Sequence, residues 1–286
     1  MEADKTIRRR GVYLLPNLLT SAALFAGFYS IITGINGNFE HAAIAIIVAG
    51  ILDGLDGRVA RLTNTQSDFG EQYDSLADLI SFGLAPALLA FNWSLSSLSE
   101  ISTTAGKLGW LASFLFVACA ALRLARFNTQ VGVAEKQYFQ GLASPAAAGT
   151  LVFTIWFFVD NGVAGETVRW LIFFETIALG MLMFSRVRYF SFKTGPSGDK
   201  VPATWLLLAV LIIVLLALDP PIMGMIFGSV YVLSGLFITI AGRRNWKLKR
   251  EQRPRKKSKT EPLIGPESNT TEVNDGDGPG PGEPHD

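Results

Sequence analysis

The chain has 286 residues, of which 49% are hydrophobic and only 17% are charged, and its formal net charge is +1. Soluble domains carry about a quarter charged residues, so this composition excludes an ordinary soluble protein and favours a membrane protein. The single cysteine, Cys119, excludes an internal disulfide, and we expect membrane lipids but no nucleic acid among the partners.

Eight segments are apolar enough to be membrane-spanning helices, which need about 20 mostly apolar residues. In chain order they cover 14–35, 42–62, 73–91, 108–127, 142–159, 168–184, 203–218 and 222–241. The second and third are weaker candidates because each carries a pair of aspartates. The sequence therefore predicts an all-α, polytopic membrane bundle of about eight transmembrane helices.

The basic residues predict how this bundle is oriented. If the N-terminus is cytoplasmic and eight helices alternate, all of the 25 lysines and arginines except Lys107 and Arg169 fall on the cytoplasmic side. This asymmetry follows the positive-inside rule. We therefore predict a multi-pass protein of the cytoplasmic membrane with both termini in the cytoplasm.

Three regions follow from this topology. Residues 1–13 form a cytoplasmic, basic N-terminal segment, and residues 14–242 form the transmembrane domain. Residues 243–286 form a cytoplasmic tail. Its first part is basic and would lie against anionic headgroups, whereas its polar, glycine- and proline-rich remainder is predicted to be disordered.

Four aspartates stand at the adjoining ends of the second and third segments: Asp53, Asp56, Asp74 and Asp78. At 100° per residue, the first two project from one helix face and the last two form a stripe along the next helix. The short link 63–69 makes these helices antiparallel neighbours, so the two pairs converge. Clustered carboxylates repel one another, and hard oxygen ligands favour Mg²⁺ or Mn²⁺. The sequence thus predicts a divalent metal site.

Small and basic residues accompany the aspartates. Gly57 and Ala60 share their helix face and leave room for a ligand, and Arg58 and Arg61 supply the cations that a diphosphate requires. Two alternatives are helix-packing ion pairs and the ion or proton pathway of a transporter. Ion pairing leaves surplus negative charge, and a transporter does not explain why arginines and glycines are grouped among the acids.

The stretch 53–78 reads Asp-x2-Asp-Gly-x2-Ala-Arg-x8-Gly-x3-Asp-x3-Asp. It resembles the signature of the CDP-alcohol phosphotransferase family at every fixed position. The resemblance implies a helical membrane core, usually a homodimer, with a cytoplasm-facing site that holds two divalent ions.

The resemblance also implies roles for the aspartates. Asp53, Asp56 and Asp74 would be metal ligands. Asp78 would share in the metal site and act as the base that deprotonates the acceptor hydroxyl.

The same resemblance indicates which residues would bind the donor. Gly57, Ala60 and Arg61 would lie against the CDP moiety. Asn17, near the start of the first segment, could reach the diphosphate or simply cap the helix, and both interpretations remain open.

Two later stretches bear on the acceptor. The runs 122–128 and 138–148 resemble the phosphatidylserine synthase branch of the family, although many members have proline where this chain has Ala143. The resemblance implies CDP-diacylglycerol as donor and L-serine as acceptor. A serine pocket needs a cation for the carboxylate and polar groups for the ammonium, and four residues at the expected membrane depth offer these groups: Arg123, Arg126, Asn128 and Ser144. Cytoplasmic anchoring is the alternative for each arginine.

These observations predict an enzyme that transfers a phosphatidyl group by in-line phosphoryl transfer and releases CMP. One alternative is a sibling phosphatidyltransferase that uses glycerol 3-phosphate or inositol phosphate. The alternative from a different class is an ion-coupled transporter, which would release no CMP. The two histidines, His41 and His285, lie away from the motif, so covalent catalysis through histidine is not supported.

Overall fold

The structure is a computed structural model, and it describes residues 2–63, 65, 67–129, 138–185, 187–190 and 203–251. The chain divides into two compact units, Met1–Asn245 and Trp246–Asp286. The part of the predicted tail from 252 to 286 lies outside the described residues.

The described residues are almost entirely helical. The α-helices are α1 (Glu2–Ile35), α2 (Phe39–Thr63), α3 (Asp68–Asp78), α4 (Ala85–Trp93), α5 (Thr103–Thr129), α6 (Ser144–Asp160), α7 (Arg169–Phe184), α8 (Ala203–Leu218) and α9 (Pro220–Glu251). A π-helical segment, Leu79–Leu84, joins α3 to α4, and a 3₁₀ helix, Leu95–Glu100, precedes α5. The predicted helical class is confirmed.

Four helical stretches of the described chain are long and apolar enough to cross a membrane. They are Leu15–Ile35, Asp68–Trp93, Thr103–Thr129 and Pro220–Thr239, and Ser144–Asp160 is a shorter apolar helix. Helices α7 and α8 have only 16 residues each, fewer than the roughly 20 that a span usually needs. The number of eight spans therefore stays a prediction.

The outer faces of these helices expose large apolar side chains. Phe25 on α1, Phe114 on α5 and Phe237 on α9 are 69%, 57% and 75% exposed. Contiguous apolar surface of this kind requires a cover other than water, and lipid provides it. The chain is a membrane protein.

Alanine fills many of the contacts between helices. Ala43, Ala49, Ala90, Ala120 and Ala148 have no exposed surface. Lipid is as apolar as a leucine side chain, so membrane helices associate by close packing, and small residues allow their backbones to approach.

A two-stranded antiparallel sheet, which the sequence did not predict, ties α6 to α7. Strand β1 (Tyr138–Gln140) pairs with β2 (Arg188–Phe190). Gly141 follows β1 with a φ of 85°, and a Cβ atom there would overlap the Met183 carbonyl oxygen. The Gly141 N–H donates to the Val187 carbonyl at 2.8 Å. This turn fixes the start of α6 beside the end of α7.

Helix α1 is the common support of the first half of the bundle, because it packs against α2, α3, α4 and the π-helical segment. Helix α1 makes a close approach at Gly27, where a Cβ atom would lie 2.9 Å from the Ser81 Cα atom. The buried Ser81 hydroxyl donates to the Ala23 carbonyl oxygen at 3.2 Å. The segment that directly follows Asp78 is therefore seated on α1.

We predict that Gly27→Ala lowers the apparent thermal unfolding midpoint in detergent, because the added methyl group overlaps Ser81 and overpacking costs about 1–3 kcal/mol. Gly149→Ala on α6 is the matched control, since nothing lies within 4 Å of the Cβ atom it would add. Removing a helical glycine there should be neutral or stabilise by about 0.5–1 kcal/mol. Equal midpoints for both variants would contradict the close packing of α1 on the π-helical segment.

Candidate active site

A cavity of about 670 Å³ lies between α1, α2 and α3. It is lined by every residue that the sequence analysis proposed for the metal and donor site: Asn17, Asp53, Asp56, Gly57, Ala60, Arg61, Asp74 and Asp78. Arg58 is not among the lining residues. The fold thus brings together groups that are up to about 60 residues apart in the chain.

The aspartates of α2 and α3 meet in this cavity. One carboxylate oxygen from each of Asp53, Asp56 and Asp74 lies within 4.8 Å of the other two. Asp78 stands one helical turn beyond Asp74, and its carboxyl group is within hydrogen-bonding reach of Asp53. Carboxylates this close repel one another unless a proton or a cation lies between them.

Helix α1 holds both halves of the acidic cluster through two consecutive residues. The Thr20 hydroxyl donates to Asp56 Oδ2 at 2.7 Å. The Ser21 hydroxyl lies 2.9 Å from the Tyr73 hydroxyl, next to Asp74 in α3. Sequence reasoning missed Thr20, although it follows Asn17 by three residues and so lies on nearly the same helix face.

The start of α3 is set by a serine cap and a glycine. The Ser67 side chain accepts a hydrogen bond from the Gly70 N–H at 3.1 Å, which satisfies one of the unpaired donors of the first turn. A Cβ atom at Gly70 would lie 3.4 Å from the Asn17 side-chain oxygen, so glycine lets α3 approach α1. Asn17 lies well inside α1, which begins at Glu2, and the helix-capping interpretation is therefore wrong.

Two glycines on α2 keep the cavity open. Nothing lies within 4 Å of the Cβ position of either Gly54 or Gly57. The Arg61 Nε–H donates to the Gly57 carbonyl oxygen at 2.9 Å, which holds the guanidinium group along the cavity wall. The open space and the adjacent cation together suit an anionic ligand.

The acidic cluster fits a divalent cation. Within the described part of the chain, Asp74 Oδ1 is buried without a hydrogen-bond partner, and such an atom is costly to leave unsatisfied. The nearby carboxylate oxygens of Asp53 and Asp56 are also hard ligands, of the kind that Mg²⁺ and Mn²⁺ prefer.

None of the residues predicted for the serine pocket is among those lining the cavity. They also lie at separate places in the fold. Arg123 Nη1 donates to the buried Ser144 hydroxyl at 3.0 Å, and the Arg123 guanidinium interacts with the Asp78 carboxylate. Asn128 instead donates to the Ser75 hydroxyl at 3.0 Å and joins α5 to α3. Arg126 is half-buried on α5. Arg123, which bonds to Ser144, thus interacts electrostatically with Asp78, whereas Asn128 bonds to Ser75.

Residues 13–182 match the model of the family described as CDP-alcohol phosphatidyltransferase. This match covers more than half of the chain, and the chain belongs to that family.

Curated relatives carry more specific names. A CDP-diacylglycerol--serine O-phosphatidyltransferase of Helicobacter pylori (strain ATCC 700392 / 26695) is 38% identical over 229 residues, which are 79% of this chain and 90% of the relative. A protein of the same name from Mycobacterium leprae is 37% identical over 63% of this chain and 59% of the relative. An archaetidylserine synthase of Methanothermobacter thermautotrophicus is 35% identical over 61% of this chain and 69% of the relative.

We predict that Thr20→Val weakens the binding of Mn²⁺ to the detergent-solubilised protein by roughly 10- to 100-fold, because Asp56 loses the hydrogen bond that orients it. Electron paramagnetic resonance of free Mn²⁺ measures this affinity. The control is Thr33→Val on the same helix, since the Thr33 hydroxyl bonds only to α1 backbone carbonyls. Equal affinities in the two variants would show that Thr20 does not position a metal ligand.

Proposed function

We propose that this protein transfers the phosphatidyl group of CDP-diacylglycerol to L-serine and releases phosphatidylserine and CMP. The convergence of four aspartates on one cavity beside an arginine carries the proposal for the chemistry. The assignment of serine is supported by the names of the relatives, one of which is matched over 90% of its length.

The acidic cluster would hold two divalent ions, Mg²⁺ or Mn²⁺. Asp53, Asp56 and Asp74 would be the ligands, and Asp78 would share in the site. When bound, such ions neutralise the negative charge of the diphosphate and of the departing CMP. The unpaired buried oxygen of Asp74 supports this assignment.

The cavity would take the CDP part of the donor. Its volume of about 670 Å³ is in the usual range for sites that bind small molecules. Arg61 and Asn17 can donate hydrogen bonds to the diphosphate, and Gly57 and Ala60 leave space for the nucleotide to approach α2. The acyl chains would remain in the bilayer, against the exposed apolar faces of the helices.

Asp78 is the proposed base, since it lines the donor cavity and interacts electrostatically with Arg123. Its carboxylate accepts the proton of the serine hydroxyl, and the serine oxygen then forms a bond to the phosphorus of the phosphatidyl group. The bond from that phosphorus to the CMP oxygen breaks as the new bond forms. Arg123 would hold the serine carboxylate and so orient the hydroxyl toward Asp78.

We also propose that the protein is a homodimer in the cytoplasmic membrane with both termini in the cytoplasm. The distribution of lysine and arginine supports the orientation. The acidic cavity at the ends of α2 and α3 would then face the cytoplasm, where serine and CMP are soluble.

We predict that the purified protein releases CMP from CDP-diacylglycerol only when both a divalent metal and L-serine are present. Glycerol 3-phosphate and inositol phosphate, tested in parallel, should give no release above background. Release with a phosphorylated acceptor instead of serine would overturn the serine assignment and keep the metal site. A failure with every acceptor would overturn transferase activity as a whole.

Asp78→Asn should lower kcat by roughly 10²- to 10⁴-fold, because the amide cannot accept the serine proton. The KM for CDP-diacylglycerol should change much less. Asp68→Asn is a matched control, since Asp68 lines the same cavity but is exposed in the first turn of α3. Equal rates in both variants would exclude Asp78 as the base.

A further inference from the structure

Helix α9 reaches the acceptor side of the proposed site, although it lies beyond residues 13–182 that match the family. Its half-buried Tyr231 interacts electrostatically with the Arg123 guanidinium. Arg123 is the residue that bonds to Ser144 and interacts electrostatically with Asp78. Helices α6 and α9 therefore contribute polar groups near a guanidinium that α5 carries.

Tyr231 is held in position by an aromatic neighbour. Its ring centroid lies 5.4 Å from that of Tyr189 in β2, with 35° between the ring planes. Tyr189 is buried, and its hydroxyl lies 3.5 Å from the Val232 carbonyl oxygen. Gly235 makes this arrangement possible, because a Cβ atom there would overlap the Tyr189 ring.

Close packing on α6 holds the same part of α9. A Cβ atom at Gly228 would lie 2.8 Å from the Thr150 hydroxyl oxygen, and one at Gly224 would overlap the Phe153 ring. Glycines at such contacts let two helices approach at backbone distance. The phenol of Tyr231 is therefore carried by a helix that contacts α6 closely at Gly224 and Gly228.

The Arg123 guanidinium can donate a further hydrogen bond. Within the described part of the chain, its Nε atom is buried and has no hydrogen-bond partner, although Nη1 bonds to Ser144. A buried unpaired donor beside a phenol suits a small anionic group that accepts hydrogen bonds from both. A carboxylate has two oxygens and can accept from both donors at once.

We infer that Tyr231 completes the acceptor pocket by donating a hydrogen bond to the carboxylate that Arg123 binds, and that it restricts the acceptor to a small α-amino acid. This inference rests on the proposed function, because it concerns the acceptor of the same reaction. The Tyr231 ring, which packs at a tilt against Tyr189, would limit the size of the acceptor.

Tyr231→Phe tests the hydrogen bond without removing the ring. The KM for serine should rise roughly 10- to 100-fold, as expected when a hydrogen bond to a charged group is lost. The kcat and the KM for CDP-diacylglycerol should stay within about twofold of the wild-type values. The thermal midpoint should stay within a few degrees of the wild-type value. Val230→Ala, which alters the adjacent and largely exposed position on α9, is the matched control and should leave all four values unchanged.

Tyr231→Ala tests the restriction on acceptor size. With serine and threonine supplied together, mass spectrometry should find a larger fraction of phosphatidylthreonine than with the wild type, because the pocket gains the volume of the ring. If this variant does not fold, the Tyr231→Phe measurement decides alone.

An unchanged serine KM in Tyr231→Phe, with an active wild type, would overturn the inference and leave the proposed function in place. An equal rise in the KM of both substrates would also overturn it, since Tyr231 would then affect the bundle and not the acceptor. A wild type that transfers no phosphatidyl group to serine would overturn the proposed function itself.

Discussion

The crowding of four carboxylates in one cavity is the constraint on which the rest of the site depends. Asp53, Asp56 and Asp74 bring oxygen atoms within 4.8 Å of one another, and this arrangement is stable only if positive charge compensates it. Divalent ions, which the cluster would hold, would neutralise the acids and favour the binding of an anionic diphosphate. The glycines that widen the cavity and the arginine on its wall follow from the same need.

Helix α1 fixes the geometry of the acidic cluster. Thr20 bonds to Asp56 in α2, and Ser21 bonds to Tyr73, beside Asp74 in α3, so one helix sets the distance between the two halves of the acidic cluster. The contact of Gly27 with Ser81 then fixes the π-helical segment that follows Asp78. Short π-helical stretches are frequent at functional sites, and this one lies directly after the proposed base.

Much of the fold, and the grouping of the motif residues in one cavity, could be predicted because the signals are local. Long apolar runs and the fixed spacing of the motif need no tertiary information, and the helical class and the family are confirmed. Thr20 was missed because a threonine in an apolar helix is ordinary until its partner, Asp56, is known. Tyr231 was missed because it approaches Arg123 only through the packing of α9 on α6. Asn128 shared a sequence run with Arg123 but faces Ser75 on another helix.

The central claim is that the phosphatidyl group is transferred directly from CDP-diacylglycerol to serine within one site. The stereochemical course at phosphorus is the most direct test of this claim. The donor is prepared with a phosphatidyl phosphorus made chiral by a single sulfur atom, and the configuration of the phosphorothioate product is determined. A single in-line displacement by the serine hydroxyl predicts inversion of configuration. Retention would contradict the account, because it requires two displacements through a covalent phosphatidyl-enzyme and therefore a nucleophile on the protein.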